Sequence, residues 1–351
     1  MKRGLVLLDA NEVAPEEYHR RIATVQAALR GQGWSAALIY GDVWRSGDIT
    51  YLSNLCLYWN EGILAIPAEG PVAFLTKLSP RVHPWMRRTA VVEDLRSGPN
   101  LADLVRRWLA PDAIGPVGAV DADFWPAQLW EDVQEAVAPR TVEDAGGLVR
   151  RMREAPSASE VALLRQSAAI AHEAVAQALG PGLTAPERAG RAEAAARAAG
   201  VEDVYVFCRP VAPGLEAVEV VAEFRGYWTT AARMVGARPP WWPTLSSAWH
   251  RAVARLTAGV RPRALAEAVA ADGPDGMRVR ADLIHHVDLE TGGDYRRLGD
   301  RDRPVTAGSV VALAVSAVLP DGGRAVLADT FAVEVGGAVP LATRLPAATD
   351  I

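Results

Sequence analysis

Hydrophobic positions in the first part of the chain alternate between helical spacing and short apolar runs. Tyr18, Ile22, Val25 and Leu29 recur every three or four residues, which predicts a helix. Short apolar runs predict strands at 36–40, 63–66, 72–76 and 117–120, and helical patterns occur at 101–109 and 126–137. This mixture of helices and strands predicts an amino-terminal α/β domain, to which we assign residues 1–150.

The remaining residues, 151–351, show helical patterns first and strand patterns afterwards. Ser157 and Thr184 are each followed three residues later by a glutamate, the spacing of a capping box, so each predicts the start of a helix. Later apolar runs predict strands at 218–224, 279–286, 309–317 and 324–335, with helices at 244–258 and 263–271. The predicted fold class is therefore α+β, with an antiparallel sheet in the second domain.

Carboxylates interrupt the apolar strand at 218–224. Because side chains alternate along a strand, Glu219, Val221 and Glu223 should share one face. Arg225 and Gly226 then predict a tight turn into a second antiparallel strand. A buried carboxylate is unfavourable unless a partner compensates it, so this hairpin is our first candidate for a functional site.

The composition argues against a nucleic-acid-binding, a disulfide-rich or a membrane protein. The 351 residues carry a formal net charge of −5 and contain no cluster of Lys and Arg interleaved with aromatic residues, which argues against nucleic-acid binding. Two cysteines, Cys56 and Cys208, cannot form a disulfide framework. No apolar run is long enough for a membrane helix or a signal-peptide core, so we expect a cytoplasmic protein with no membrane partner.

The hairpin segment at 216–236 resembles the creatinase, prolidase and aminopeptidase P family. In the usual form of that family a strand bearing an aspartate is followed by Gly-Tyr, Ser-Asp, a hydrophobic residue, Thr and Arg, and here Gly226, Tyr227 and Arg233 match. Residues 51–55, with the sequence YLSNL, resemble a motif of the family's amino-terminal domain. The resemblance covers nearly the whole chain. It implies a pita-bread fold for residues 151–351, which is a curved sheet with helices on its outer face.

The resemblance also locates the positions that hold metal ions in the peptidases of the family. They fall on Glu219, Thr230, His285, Ala314 and Ala328. Only Glu219 and His285 keep side chains that bind metal well, too few for a zinc or a manganese centre. We therefore expect no metal and no other cofactor. The family includes creatinase, which hydrolyses a carbon–nitrogen bond without metal, although Ala314 replaces a glutamate that creatinase keeps.

These observations lead to a functional hypothesis and several alternatives. The leading hypothesis is a metal-independent enzyme that acts on a small, polar, nitrogen-containing molecule, with Glu219 and His285 as general acid and base. Hydrolysis of a carbon–nitrogen bond is the preferred reaction, and elimination and cyclisation stay open. In the first alternative Glu219 and His285 are a structural relic, and the chain is a catalytically silent binding or scaffold protein. In the second it is a degenerate peptidase with one metal ion.

Further candidate residues follow from the resemblance. The candidates for contact with the substrate are Tyr227, Trp228, Thr230, Arg233, His286 and Asp329. Arg233 and Asp329 could form a structural ion pair, or Arg233 could bind a substrate carboxylate with two donors. Trp59, Asn60 and Glu61 follow the YLSNL motif, and the resemblance implies a homodimer in which they approach the partner subunit's site.

Overall fold

The computed structural model describes residues 8–55, 57, 60–110, 114–273, 276–285 and 302–343, apart from the side chains of residues 284 and 285. Contacts divide the chain into two compact units, Met1–Arg153 and Glu154–Ile351.

The first unit is a mixed sheet with helices, as predicted. Its helices are α1 (Pro15–Gln32), α2 (Gly47–Ser53), α3 (His83–Thr89), α4 (Leu101–Trp108), α5 (Ala127–Val137) and α6 (Leu148–Arg153). Its strands are β1 (Ala36–Gly41), β2 (Gly62–Pro67), β3 (Ala73–Thr76), β4 (Asp94–Ser97), β5 (Val117–Val120) and β6 (Val142–Asp144). The strand order is β4-β3-β2-β1-β5-β6. Apolar residues of β1, β2, β3 and β5 pack against α4 and α5 to form a core.

The second unit is a larger antiparallel sheet with helices packed on it. Its helices are α7 (Ala158–Ala178), α8 (Ala185–Ala198), α9 (Trp242–Arg255) and α10 (Pro262–Val269). Its strands are β7 (Asp203–Ala212), β8 (Leu215–Phe224), β9 (Tyr227–Gly236), β10 (Ala271–Asp272), β11 (Arg278–His285), β12 (Val310–Val318), β13 (Arg324–Glu334) and β14 (Gly337–Pro340). The order is β10-β11-β12-β13-β9-β8-β7, and β14 pairs with β13. The predicted α+β class, with an α/β domain before a sheet domain, is confirmed.

The helix starts in the second unit follow the local sequence. Both predicted capping boxes form, at Ser157 before α7 and at Thr184 before α8, and each satisfies backbone donors at the start of its helix. Helix α9 begins at Trp242, slightly before the predicted start at about residue 244. Pro243 is compatible with this earlier start because a proline in the first turn removes no intrahelical hydrogen bond.

The hairpin of β8 and β9 also forms as its sequence predicts. Arg225 and Gly226 both have positive φ angles, 54° and 84°, the backbone conformation of the tight turn that best matches strand twist. The two strands pair from Leu215 opposite Gly236 to Phe224 opposite Tyr227. The turn thus fixes the register that determines which hairpin residues share a face.

Candidate functional site

The two faces of the larger sheet differ in what covers them. The Ser167 hydroxyl of α7 lies 2.9 Å from the Thr229 hydroxyl, so Thr229 faces the helices. Because side chains alternate along a strand, the neighbouring Thr230 lies on the opposite face. Glu219 is paired across the strands with Ala232, two residues from Thr230, and therefore shares that opposite face. We call the face that carries Glu219 and Thr230 the inner face.

A single cross-strand row on the inner face contains three of the positions of interest. Ala232 is paired with Glu219 on one side and with Ala328 on the other, and Ala328 is paired with Ala314. Neighbouring strands lie about 4.8 Å apart, so these alanines form a continuous floor beside Glu219. Asp282, opposite Ala314, lies at the far end of the row. The short alanine side chains leave the middle of the row without any polar group.

An ion pair lies at the Glu219 end of this row. Arg209 of β7 donates from Nη1 to Glu219 Oε2 at 2.8 Å, and the two side chains are 40% and 20% exposed. Among the residues that the structure describes, Glu219 Oε1 accepts no hydrogen bond, and the other nitrogens of Arg209 donate none. The pair therefore has an open acceptor on the carboxylate and open donors on the guanidinium.

Stacked aromatic rings run alongside the ion pair. The Arg209 guanidinium carbon lies 4.3 Å from the centroid of the Phe207 ring. Phe207 stacks with Tyr205 at 6.5 Å, and Tyr205 stacks with Trp228 at 5.5 Å. Tyr205 and Phe207 are each more than a third exposed, at 37% and 38%. Trp228 is buried, and its indole N–H has no partner among the described residues. Sequence analysis selected Trp228 but missed the three residues of β7, whose alternating aromatic and basic pattern was the available signal.

Three of the candidate substrate contacts lie on the helix-covered face instead. The Tyr227 hydroxyl donates to Glu160 of α7 at 3.1 Å. Arg233 Nη2 donates to Asp329 Oδ2 at 2.9 Å, and both residues are buried. Of the two roles considered for Arg233, the geometry is that of a structural ion pair. The structure thus separates Tyr227, Arg233 and Asp329 from Glu219 and Thr230.

A histidine that sequence analysis missed also contacts Asp329 on the helix-covered face. His172 of α7 is buried, and its Nε2 lies 2.7 Å from Asp329 Oδ1. The Asp329 carboxylate thus lies between His172 and Arg233. His172 and Asp329 are 157 residues apart in the chain, and no local pattern links them.

Other candidates lie wholly or partly outside the described residues. Strand β11 ends at His285, whose backbone is opposite Val311, but its side chain and the whole of His286 are outside the described part. Trp59 is also outside it. Asn60 is exposed and has a positive φ of 72°.

Glu61 has partners within the first unit. It accepts hydrogen bonds from the Tyr40 hydroxyl at 2.6 Å and from Lys77 Nζ at 2.5 Å. Burial raises the pKa of Tyr40 above its usual value, and the hydrogen bond to Glu61 adds to the shift. Burial acts to raise the pKa of Glu61, but the hydrogen bonds from Lys77 and Tyr40 outweigh this effect, and the pKa is lowered. The structure therefore gives Glu61 a well-defined role inside its own unit.

Among the residues that the structure describes, the inner face does not have the donor set of a two-metal centre. Of the described positions that the family resemblance aligns with metal ligands, Thr230, Ala314 and Ala328 carry no carboxylate, and Glu219 is already paired with Arg209. Hard divalent ions require several oxygen ligands, and zinc requires at least three protein groups. In the part of the chain that the structure describes, no group of three or more His, Cys, Asp or Glu residues could hold a metal ion.

Comparisons with known proteins agree with the fold. Residues 21–155 match the creatinase/prolidase N-terminal domain. Three similar solved structures are an Xaa-Pro dipeptidase from Bacillus anthracis, a prolidase from Pyrococcus horikoshii OT3 and an X-Pro aminopeptidase from Thermotoga maritima MSB8. Their identities to this chain are 18%, 16% and 17%, and their TM-scores are 0.74, 0.72 and 0.74. They cover 94%, 92% and 94% of this chain, which covers 98%, 97% and 98% of theirs. No curated protein sequence matches the chain.

The fold and the matched domain define the class of protein: a two-unit chain with an α/β domain before a pita-bread domain. Residues 21–155 in the amino-terminal unit match the creatinase/prolidase N-terminal domain, and nearly the whole chain has the fold of the similar peptidase structures. The resemblance found in the sequence is confirmed.

Proposed function

We propose that this protein is a hydrolase that cleaves a carbon–nitrogen bond in a small, polar, nitrogen-containing substrate, using the side chains of Glu219 and His285 instead of a bound metal. The proposal rests on the hydrogen bonding of the Glu219 carboxylate. Arg209 holds one of its oxygens, and the other accepts no hydrogen bond from the described residues. A carboxylate fixed in this way can exchange a proton with a substrate or a water molecule.

The reaction type is supported by the similar solved structures. Their names, Xaa-Pro dipeptidase, prolidase and X-Pro aminopeptidase, describe peptidases, which break a carbon–nitrogen bond. A shared fold does not by itself transfer an activity, because function depends on the chemistry of the site. The replacement of ligands at Thr230, Ala314 and Ala328 supports a mechanism without metal-activated water. Elimination and cyclisation need the same two proton transfers and stay within the proposal.

The proposed roles are those of a general acid and base. Glu219 takes a proton from the attacking water, and His285 gives a proton to the leaving nitrogen. Thr230 lies on the same face as Glu219 and has a hydroxyl that can bind the substrate. Trp228 contributes an indole N–H that is buried without a described partner. We keep His286 as a predicted contact with the substrate.

A second candidate function is ligand binding without catalysis. It is favoured by the burial of Trp228 and Met234 of β9, each 3% exposed, because these two large side chains are packed into the protein. The alanines of the inner face also provide no acid or base. A binding protein would keep the fold and the Arg209–Glu219 pair and would show no turnover.

The test is turnover on a panel of small amides and N-substituted amino acids, with and without chelator. Glu219→Gln and His285→Ala should each lower turnover by roughly 10²- to 10⁴-fold, because each removes a positioned acid or base. The double variant should be little worse than either single variant, since the two groups act as a unit. The control is Glu267→Gln, which replaces an exposed glutamate of α10 and should leave turnover unchanged.

Circular dichroism and melting curves establish that the variants fold. Loss of activity with chelator, or stoichiometric Mn, Zn or Fe in the purified protein, would refute the metal-independent mechanism. No turnover on any member of the panel would favour the binding protein.

A further inference from the structure

Arg209 has the geometry of a fixed cation with unused donors. Its guanidinium stacks on Phe207 and gives one hydrogen bond, from Nη1, to Glu219. An arginine side chain has five N–H donors in a planar fork. Nε and Nη2 donate no hydrogen bond to any described residue, and the side chain is 40% exposed. The remaining donors are therefore accessible to a ligand.

The surroundings hold the guanidinium in a defined orientation. The contact with Phe207 restrains the plane of the group, and the bond to Glu219 restrains its rotation. Phe207 is itself restrained, since its ring stacks with Tyr205 at an interplanar angle of 18°. A donor group that is already ordered loses less conformational entropy when a ligand binds. This arrangement differs from that of a mobile surface arginine.

The chemistry beside Arg209 indicates the ligand. Guanidinium donors prefer carboxylate and phosphate oxygens, which accept two parallel hydrogen bonds. The rings of Tyr205 and Phe207 expose apolar surface next to these donors. Glu219 is the acid closest to the guanidinium, and its charge is compensated by the ion pair, so a second anion can share the same cation.

We propose that Arg209 is the ligand-binding cation of the inner face, and that it receives small molecules in which a carboxylate or phosphate lies next to a flat apolar group. This inference rests on the proposed function, because it places the substrate of that reaction beside Glu219. It assigns to an arginine the positive charge that a metal ion supplies in a metal-dependent site. The substrate is then held by its oxyanion while the open oxygen of Glu219 faces the reacting atoms.

Calorimetric titration of the full-length protein tests the inference without requiring turnover. The probes are benzoate, phenyl phosphate and benzyl alcohol, which share a flat ring and differ in the oxyanion. We expect benzoate or phenyl phosphate to bind at millimolar concentration and benzyl alcohol to bind much more weakly. The relative affinity of the two anions decides between a carboxylate and a phosphate.

Variants identify the residue responsible. Arg209→Gln should weaken binding of the preferred anion by roughly 10- to 100-fold, the usual contribution of charge-assisted hydrogen bonds. Arg209→Lys keeps the charge but loses the fork and the stacking, so its affinity should be intermediate. Arg263→Gln is a matched control, since Arg263 also pairs with a glutamate at 2.9 Å but lies exposed on α10. Its affinity should equal that of the wild type.

Each outcome has a defined meaning. Equal affinity of wild type and folded Arg209→Gln overturns the inference, as does equal affinity for benzoate and benzyl alcohol or no binding of either anion. If Arg209→Gln does not fold, the comparison of Arg209→Lys with the wild type takes its place. Anion binding through Arg209 without turnover on any substrate would leave the inference intact and refute the proposed hydrolase. Turnover without anion binding would overturn the inference and leave the proposed hydrolase intact.

Discussion

At the scale of single residues, the larger sheet carries two arginine–carboxylate pairs with different surroundings. Arg233 and Asp329 are buried between the sheet and α7, where His172 gives Asp329 a second partner. Arg209 and Glu219 are partly exposed on the inner face and have unused donors and an unused acceptor. Because water weakens electrostatic interactions, the buried pair is coupled more strongly to folding than the exposed one. The first pair is suited to stability and the second to binding.

We predict that Arg233→Ala destabilises the protein. Removing one partner of a buried ion pair leaves an uncompensated charge, so the free energy of unfolding should fall by about 3–5 kcal/mol. Arg263→Ala removes an exposed partner on α10 and should change it by no more than about 1 kcal/mol. Denaturant unfolding followed by circular dichroism measures both values. Similar values for the two variants would contradict the structural role of the Arg233–Asp329 pair.

At the scale of secondary-structure elements, the hairpin of β8 and β9 determines the candidate site. Its turn fixes the register, and the register places Glu219 opposite Ala232 and Thr230 opposite Val221. The open end of the hairpin is held by a close backbone approach at Gly236. This residue has a φ of +124°, and an added Cβ there would lie 2.1 Å from the carbonyl oxygen of Gly214.

We therefore predict opposite effects for two glycine-to-alanine substitutions. Gly236→Ala should lower the melting temperature, because its φ is unfavourable for alanine and the Cβ would clash with backbone. Gly190→Ala lies in α8, where a Cβ meets nothing within 4 Å, and should raise stability by roughly 0.5–1 kcal/mol. Differential scanning calorimetry compares the two directly. An unchanged melting temperature for Gly236→Ala would mean that the strand end rearranges.

At the scale of the whole molecule, the remaining proposals concern assembly and location. None of the helices in the described part of the chain is long and apolar enough to cross a membrane. The cytoplasmic location stays a prediction. The homodimer that the family resemblance implies stays a prediction, and residues 21–155 match the creatinase/prolidase N-terminal domain.

We predict that light scattering at micromolar concentration gives about twice the chain mass of 37.5 kDa. If residues of one subunit approach the partner's site, substituting one of them should affect binding without unfolding the chain. Asn60 is suitable for this test because it is exposed. Asn60→Gly removes the side chain and tolerates the positive φ of this position, so it should keep the melting temperature and lower turnover. A monomer with full activity would rule out a shared site.

The sequence determined the local structure and the faces of its strands. The capping boxes at Ser157 and Thr184 specify helix starts through contacts within four residues, and the Arg225-Gly226 turn specifies a hairpin. Strand alternation was enough to place Glu219 and Val221 on one face. The fold class and the family could also be predicted, because helix and strand patterns and family motifs depend on residues that are close in the chain.

Only the tertiary structure decided which face α7 covers and which residues meet across strands. The contact of His172 with Asp329 spans 157 residues and depends on how a helix packs on a sheet. The pairing of Arg209 with Glu219 depends on the register of β7 against β8, which includes an irregularity after Pro210. Local patterns do not encode such packing and register, because they arise from the joint burial of distant segments. For this reason sequence analysis found Glu219 but missed the arginine that accompanies it.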